Sequence, residues 1–220
     1  MISLNLLKNR NDPLSILCIG AHSDDLEIGC GGSILRLQRI YSHSTIYWVV
    51  LSANEKRSEE AKKSAIMFTE RCKKSYLFIE NYRDSFFPYI GYEIKEYFEK
   101  LKTKCSPDII FTHNRADMHQ DHRIVSELTW NSFRNNFILE YEIPKWDGDL
   151  GVPNFYVHLE NDLAEKKIRN ILENFNSQKN RDWFDRETFS SMMRIRGMES
   201  RSPSGYAEGF FCKKAAITLE

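Results

Sequence analysis

The chain lacks an excess of charge of either sign. Among its 220 residues, Lys plus Arg and Asp plus Glu both number 31, so the formal net charge at pH 7 is zero. Proteins that bind nucleic acid or an anionic membrane normally carry a basic excess, because the partner is a polyanion. The balance therefore argues against nucleic acid as a partner and against stable attachment to a membrane.

Paired cysteines, long apolar runs and a leader-like start are also missing. The five cysteines are scattered without a CxxC pair, which argues against a disulfide framework and against a cysteine zinc site. The strongest apolar run, residues 46–51, is far too short to span a bilayer. The first twelve residues lack the basic-then-apolar order of a signal peptide. These absences favour a cytoplasmic protein.

Short apolar runs alternate with helical patterns through the first two thirds of the chain. The patterns predict strands at 15–20, 45–52, 75–80 and 108–112, and helices at 31–41, 55–72, 89–104 and 121–133. This order predicts a Rossmann-like α/β fold, with a mostly parallel sheet and helices on both faces, in one domain spanning 1–220.

The last third is less regular. We expect strands at 137–143 and 155–159, helices at 161–175 and 185–198, and a final stretch, 210–219, that closes the sheet. The connection at 144–153 is rich in Pro, Gly and Asp and contains Trp146, which predicts a loop near the functional edge.

Two clusters of His and Asp follow the first and fourth predicted strands. His22, Asp24 and Asp25 leave the first strand, and residues 113–122 (HNRADMHQDH) leave the fourth. Ligands of open α/β sheets bind beyond the carboxyl ends of the strands, where the strand order reverses. If the first and fourth strands are neighbours, the two clusters meet in one site.

Histidine and carboxylate side chains in this arrangement suit a catalytic zinc ion. Such an ion takes three protein ligands and leaves one position for a water molecule, whose pKa it lowers. The spacing allows one of Asp24 and Asp25 to ligate while the other faces the water. It also allows one of His119 and His122 to ligate while the other faces a substrate oxygen, and it does not decide which.

The strings AHSDDLEIGCGG and HNRADMHQDHR resemble the two signature motifs of the PIG-L/LmbE-like family of zinc-dependent N-acetylsugar deacetylases. The first resembles the pattern A-H-x-D-D-x-E followed by glycines, with Ser23 where proline is commoner. The second resembles H-x-D-H-R. Weaker similarity extends to residues 57–61 and 204–210.

The resemblance implies an LmbE-like fold, one zinc ion and a role for each residue of the two motifs. The implied metal ligands are His22, Asp25 and His122. The implied general base is Asp24. His119 would stabilise the oxyanion or protonate the leaving amine, and Asp121 would orient His119. It implies hydrolysis of the linear amide of an N-acetylglucosamine-type sugar or sugar conjugate, with a metal-bound water attacking the carbonyl.

Three further residues are candidates for binding the substrate. Arg83 and Asp84 follow the third predicted strand and so lie on the functional edge, and Arg57 lies in the second predicted helix. A solvated helix arginine is the alternative interpretation of Arg57. The sequence leaves the aglycone, the number of subunits in a homo-oligomer, and a metal other than zinc open.

Three competing interpretations remain. Asp24 and Asp25 would serve as helix caps in a purely structural interpretation. His22, Asp24 and His122 also fit the facial triad of a non-haem Fe(II) oxygenase, although the 2-oxoglutarate enzymes carry that triad on a jelly roll. Gly29, Gly31 and Gly32 suggest a nucleotide-binding module, but they do not form G-x-G-x-x-G and they follow acidic residues that would repel a pyrophosphate.

Overall fold

A computed structural model describes residues 12–216, which form a seven-stranded sheet with helices on both faces. The strands are β1 (Ser15–His22), β2 (Thr45–Ser52), β3 (Lys74–Ile79), β4 (Ile109–His113), β5 (Phe137–Tyr141), β6 (Phe155–Leu159) and β7 (Tyr206–Phe211). Their order across the sheet is β3-β2-β1-β4-β5-β7-β6. Strands β1 to β5 run parallel to one another, and β7 runs antiparallel to both of its neighbours, β5 and β6.

Six α-helices of the described residues cover the sheet. They are α1 (Asp25–Ile40), α2 (Glu55–Phe68), α3 (Gly91–Lys104), α4 (Gln120–Ser132), α5 (Asn161–Asn174) and α6 (Arg186–Glu199). Helices α1, α2, α5 and α6 pack on one face, and α3 and α4 pack on the other. The predicted mostly parallel α/β fold is confirmed.

Strand β1 is buried on both faces, as expected for the centre of a parallel sheet. Ile16 and Cys18 belong to the core beneath α1, whereas Leu17 and Ile19 belong to the core beneath α3 and α4. Strand β1 also pairs with β4. The chain moves outward from β1 to β3 and then crosses to β4, so the order reverses between β1 and β4 and opens a crevice at their carboxyl ends.

Helix α1 begins at Asp25, six residues before the predicted start at residue 31. Gly29 and Gly31 lie inside this helix, at positions where neighbouring groups leave no room for a Cβ atom. A Cβ on Gly29 would lie 2.2 Å from the Tyr141 ring, and one on Gly31 would lie 2.5 Å from Phe68. These glycines are packing positions within α1 and do not form a loop that could hold a phosphate, which removes the basis of the nucleotide-binding interpretation.

A buried ion pair holds α1 against β7. Glu208 accepts the backbone N–H groups of Gly32 at 2.8 Å and of Ser33 at 2.7 Å, and it pairs with Lys167 at 2.6 Å. Lys167 also donates to the carbonyl of Ile28 at 2.6 Å. Glu208 therefore supports the helix that starts at the functional edge.

The last strand and one helix end differ from the prediction. Strand β7 spans Tyr206–Phe211, because residues 206–211 pair with both β5 and β6. The predicted strand 210–219 is therefore wrong in its placement, and residues 217–220 of it lie outside the described part. Helix α2 ends at Phe68 rather than residue 72, where a turn leads into β3. Within residues 12–216, no helix is both long and apolar enough to cross a membrane.

Candidate active site

The ends of β1 and β4 bring the two His/Asp clusters together. His22 closes β1, and His122 lies in the first turn of α4, which follows β4. The Nδ1 atom of His22 lies 3.2 Å from the Nε2 atom of His122, although 100 positions separate the residues. The predicted convergence of the two clusters is present.

Asp25 completes a three-residue group with these rings. Its Oδ2 atom lies 3.5 Å from His22 Nδ1, and its Oδ1 atom lies 3.6 Å from His122 Nε2. Tetrahedral zinc with bonds of about 2.0–2.1 Å places its ligand atoms roughly 3.3–3.4 Å apart. The donor set and its spacing therefore suit a zinc ion.

The remaining ring nitrogens are held by carboxylates. His22 Nε2 lies 3.2 Å from Asp121 Oδ2 and 3.3 Å from Asp84 Oδ1. His122 Nδ1 lies 2.9 Å from Asp117 Oδ2. Metal-binding histidines usually donate their second N–H to a carboxylate or carbonyl, which fixes the ring and raises its basicity. Both rings follow that pattern.

The protonation states of two of these residues favour ligation. Burial and the nearby His113 ring lower the pKa of His122 to about 3, so this imidazole is neutral. Burial alone would raise the pKa of the Asp25 carboxyl, but His122, His113 and His22 hold that pKa well below its usual value. Asp25 is therefore an ionised carboxylate. Its Oδ2 atom also accepts the backbone N–H of His22 at 2.6 Å, which fixes its orientation.

Overlapping groups of side chains around the site have the spacing of metal ligands. Among residues 12–216 they are His22/His119/His122, Asp25/His113/His122 and His22/Asp84/His119/Asp121. His113 is a poor ligand because its Nε2 atom already accepts the backbone N–H of Ala21 at 3.0 Å. Its ring stacks on His122 at 3.8 Å between centroids. His113, left unassigned by the sequence, therefore packs behind the site.

Asp24 stands at the N-cap position of α1 but does not cap the helix with its side chain. The capping interpretation of Asp24 is therefore wrong. Its side chain is nearly buried, with 7% of the residue exposed. Burial and the neighbouring Asp25 charge raise the pKa of Asp24 to about 6, against the opposing effect of Arg57 and His22. A carboxylate with that pKa suits a group that accepts and returns a proton near neutral pH.

His119 is oriented by the start of α4. Its Nδ1 atom accepts the backbone N–H of Asp121 at 3.2 Å, so the hydrogen-bond pattern assigns the ring proton to Nε2. Burial and the nearby His22 lower the pKa of His119, which keeps the ring neutral. His119 therefore presents an N–H donor beside the His22 and His122 rings, whose centroids lie 4.9 and 4.5 Å away.

Asp121 orients His119 through its backbone and not through its carboxylate. The carboxylate is fully buried, contacts His22, and accepts the N–H groups of Ser85 at 2.7 Å and Phe87 at 3.1 Å. The Asp121 carboxylate therefore links His22, a candidate metal ligand, to the loop after β3. Ser85 adopts a φ of 68° in that loop, a left-handed conformation that costs energy for a non-glycine residue.

The three predicted substrate-binding residues occupy different places. Arg57, in the first turn of α2, pairs with Asp84 at 3.2 Å, and Asp84 contacts His22. The hydrogen bond from His22 lowers the pKa of Asp84, despite partial burial. Arg83 is exposed and stacks on Phe86, 3.6 Å from the ring centroid. Arg57 and Asp84 thus reach the site, whereas Arg83 lies on an outer aromatic surface.

The sequence patterns did not predict an ion pair at Asp117, the carboxylate that contacts His122. Lys145 Nζ lies 3.1 Å from Asp117 Oδ1 and 2.5 Å from Asp149 Oδ2. The composition of 144–153 marked this loop as close to the site, but it gave no sign of which residue would reach inward. Trp146, at 64% exposure, points outward and packs edge-on against Trp183.

Residues 17–133 match the family model for PIG-L, described as GlcNAc-PI de-N-acetylase, and this span includes both motifs. This chain belongs to the PIG-L family. A relative of this PIG-L protein, the uncharacterized deacetylase YaiS of Escherichia coli K12, is 30% identical over 149 residues. The alignment covers 63% of this chain and 79% of YaiS.

Solved structures share the fold of this PIG-L chain. The N,N'-diacetylchitobiose deacetylase of Pyrococcus horikoshii superimposes with a TM-score of 0.64 and 24% identity, over 89% of this chain and 82% of that one. GalB, the 4-carboxy-2-hydroxymuconate hydratase of Pseudomonas putida, superimposes with a TM-score of 0.68 and 15% identity, over 94% and 99% of the two chains. At these identities the likeness shows the fold, and one fold hosts different reactions. The α/β sheet differs from the jelly roll expected of the oxygenase alternative.

Proposed function

We propose that this protein is a zinc-dependent deacetylase that hydrolyses the acetamide of an N-acetylglucosamine-type sugar or sugar conjugate. One observation carries the proposal: His22 Nδ1 and His122 Nε2 lie 3.2 Å apart, and each lies within 3.6 Å of one oxygen of Asp25, which Asp24 precedes in the chain. Membership of the PIG-L family, the deacetylase YaiS and the chitobiose deacetylase support the same reaction and substrate class.

His22 Nδ1, the Asp25 carboxylate and His122 Nε2 would hold the cation. In its open position the cation would lower the pKa of a water molecule and polarise the amide carbonyl. Burial lowers the pKa of His22, but Asp25 and Asp121 outweigh that effect and raise it well above its usual value. Binding a cation at Nδ1 should therefore release a proton from His22.

Asp24 moves protons in the proposed reaction. It takes one from the water molecule that attacks the carbonyl carbon, and a proton then passes to the nitrogen of the leaving amine as the C–N bond breaks. The products are acetate and the free amino sugar. With a pKa of about 6, Asp24 is largely ionised at neutral pH and ready to accept the proton.

His119 stabilises the charge that develops on the carbonyl oxygen. Its Nε2–H group is the donor, because Nδ1 is committed to the backbone N–H of Asp121. A preorganised donor of this kind typically contributes roughly 10²–10³ in kcat. Arg57 and Asp84 present a cation and an anion at the mouth of the site, where sugar hydroxyl groups would bind, and exposed Arg83 would bind the more distant part of a conjugate.

The test is a screen of N-acetylated sugars for release of acetate and free amine. The enzyme is assayed as isolated, after chelation, and after zinc is restored. We expect activity that chelation removes and zinc restores. Oxygen uptake, or substrate consumption without acetate release, would replace the proposal with an oxygenase or a hydratase.

A further inference from the structure

The loop at 144–153 reaches the back of the candidate metal centre through a nearly buried lysine. The side chain of Lys145 is 8% exposed, and those of its partners Asp117 and Asp149 are 3% and 7% exposed. Lys145 and Asp149 belong to the loop, whereas Asp117 belongs to the segment between β4 and α4. A buried lysine placed between two carboxylates therefore joins the loop to the site.

The contact fixes more than one point of the 117–119 segment. Asp149 Oδ2 accepts the backbone N–H of Met118 at 2.7 Å. Asp117 Oδ1 accepts the backbone N–H of His119 at 2.8 Å, while its Oδ2 atom lies 2.9 Å from His122 Nδ1. The Lys145–Asp149 pair thus supports the residues that orient both His119 and His122.

The other end of the loop has its own anchor. The backbone N–H of Gly151 donates to Glu142 Oε1 at 3.2 Å, and its carbonyl accepts from Arg196 Nη2 at 3.0 Å. Arg196 pairs in turn with Glu142 at 2.8 Å. Removing the Lys145 contact should therefore free the first half of the loop without releasing the second.

We propose that Lys145, together with Asp149, is a positioning residue that sets the cation affinity of the centre by holding Asp117 against His122. The inference rests on the proposed function for the existence of the cation. Carboxylates that orient metal-binding histidines typically change metal affinity or activity by roughly 10–100-fold when they are altered. Lys145 acts one contact further out, on that carboxylate.

Two effects of Lys145 oppose each other. Its positive charge repels a cation, whereas its contact with Asp117 keeps that carboxylate aimed at His122. Without Lys145, the carboxylates of Asp117 and Asp149 face each other unneutralised, which would displace Asp117. A variant that removes one positive and one negative charge together leaves the local net charge unchanged. Any loss of cation affinity in it would therefore come from displacement of Asp117 and not from a change in charge.

Thermodynamic linkage adds a second readout. If the loop contact strengthens cation binding by some factor, cation binding must strengthen the loop contact by the same factor. Zinc should therefore slow hydrogen exchange of the Met118 amide, which donates to the loop. Zinc also stabilises the folded state as a whole, so the role of Lys145 is read from how far the zinc-dependent protection of Met118 falls when its contact is removed.

The experiment uses the double variant Lys145→Met/Asp149→Asn, which keeps the local net charge and an acceptor for the Met118 amide. The matched control is Lys102→Met/Glu99→Gln, which removes an exposed ion pair of α3. Lys145→Arg tests whether a different cationic side chain at this position can make the contact with Asp117. Zinc affinity is measured by chelator competition, and exchange at Met118 is measured with and without zinc.

We expect a loss of zinc affinity of up to about tenfold in the double variant, the low end of the range for the carboxylate that Lys145 supports, and weaker zinc-dependent protection of Met118 than in the wild type. The control should match the wild type, and Lys145→Arg should recover part of the affinity. Unchanged affinity and protection in the double variant would overturn the inference while leaving the deacetylase proposal intact. A wild type that binds no zinc and releases no acetate would instead overturn the proposed function and, with it, the inference.

Discussion

The carboxylate of Asp121 lies 3.2 Å from Nε2 of His22, on the side of the ring that faces away from His122. The same carboxylate accepts the N–H groups of Ser85 and Phe87. One buried side chain therefore sets the orientation of His22 and the position of the loop that follows β3. This relationship differs from the role expected of Asp121 in orienting His119.

Asp121→Asn should weaken zinc binding and activity together. An amide retains one acceptor oxygen and loses the charge that favours the His22 Nε2–H group, so we expect roughly a 10–100-fold loss in metal affinity or activity. Zinc titration and kcat/KM provide the measurement. Full zinc affinity with lower activity would mean that Asp121 acts through His119 alone.

Asp24→Asn should abolish acetate release while leaving the zinc content nearly unchanged. Asn cannot accept the proton of the attacking water, and general bases typically contribute roughly 10²–10⁴ in rate. The measurement pairs an acetate assay with elemental analysis of the purified variant. Loss of zinc from this variant would make Asp24 a ligand and contradict its assignment as the base.

His119→Ala should lower kcat by roughly 10²–10³ and retain zinc. The replacement removes the Nε2–H donor and the Nδ1 acceptor of the Asp121 N–H group. The steady-state constants should show the loss mainly in kcat, because the donor acts on charge that develops in the transition state. A loss confined to KM would assign His119 to ground-state binding instead.

Gly29→Ala should destabilise the fold by about 1–3 kcal/mol or more, because overpacking forces neighbouring groups apart. The added Cβ would lie 2.2 Å from the Tyr141 ring, whose hydroxyl is fixed to the carbonyl of Ile19 at 2.8 Å. The matched control is Gly91→Ala at the start of α3, where a Cβ meets nothing within 4 Å. The control should be neutral or slightly stabilised in urea unfolding. Equal unfolding midpoints for the two variants would contradict this packing account.

The fold and the meeting of the two clusters could be predicted from the sequence, because both depend on local patterns and a general rule of parallel sheets. The alternation of strands and helices predicts the layers, and adjacency of β1 and β4 then brings residues 22–25 and 113–122 to one edge. The exact start of α1 and the packing of its glycines depend on tertiary contacts, which the local patterns do not show. The predicted helix began at residue 31, after Gly29. The packing of Gly29 against Tyr141 could not be foreseen, because the two residues lie more than a hundred positions apart in the sequence.

The orienting contacts could not be predicted for the same reason. Which carboxylate faces which imidazole nitrogen depends on side-chain directions at the ends of separate elements. Asp117 and Asp121 lie four residues apart, yet one holds His122 and the other holds His22. The composition of loop 144–153 predicted that it lies near the site, but nothing local indicated that Lys145 would be the residue that reaches inward.

We expect one cation to bind between His22, Asp25 and His122. A crystal structure of the zinc-loaded protein, with anomalous diffraction recorded on both sides of the zinc absorption edge, tests this site. We expect one zinc peak about 2.0–2.1 Å from His22 Nδ1, His122 Nε2 and an Asp25 oxygen. A protein that takes up no zinc, or a sole peak among His22, Asp84, His119 and Asp121, would contradict the account.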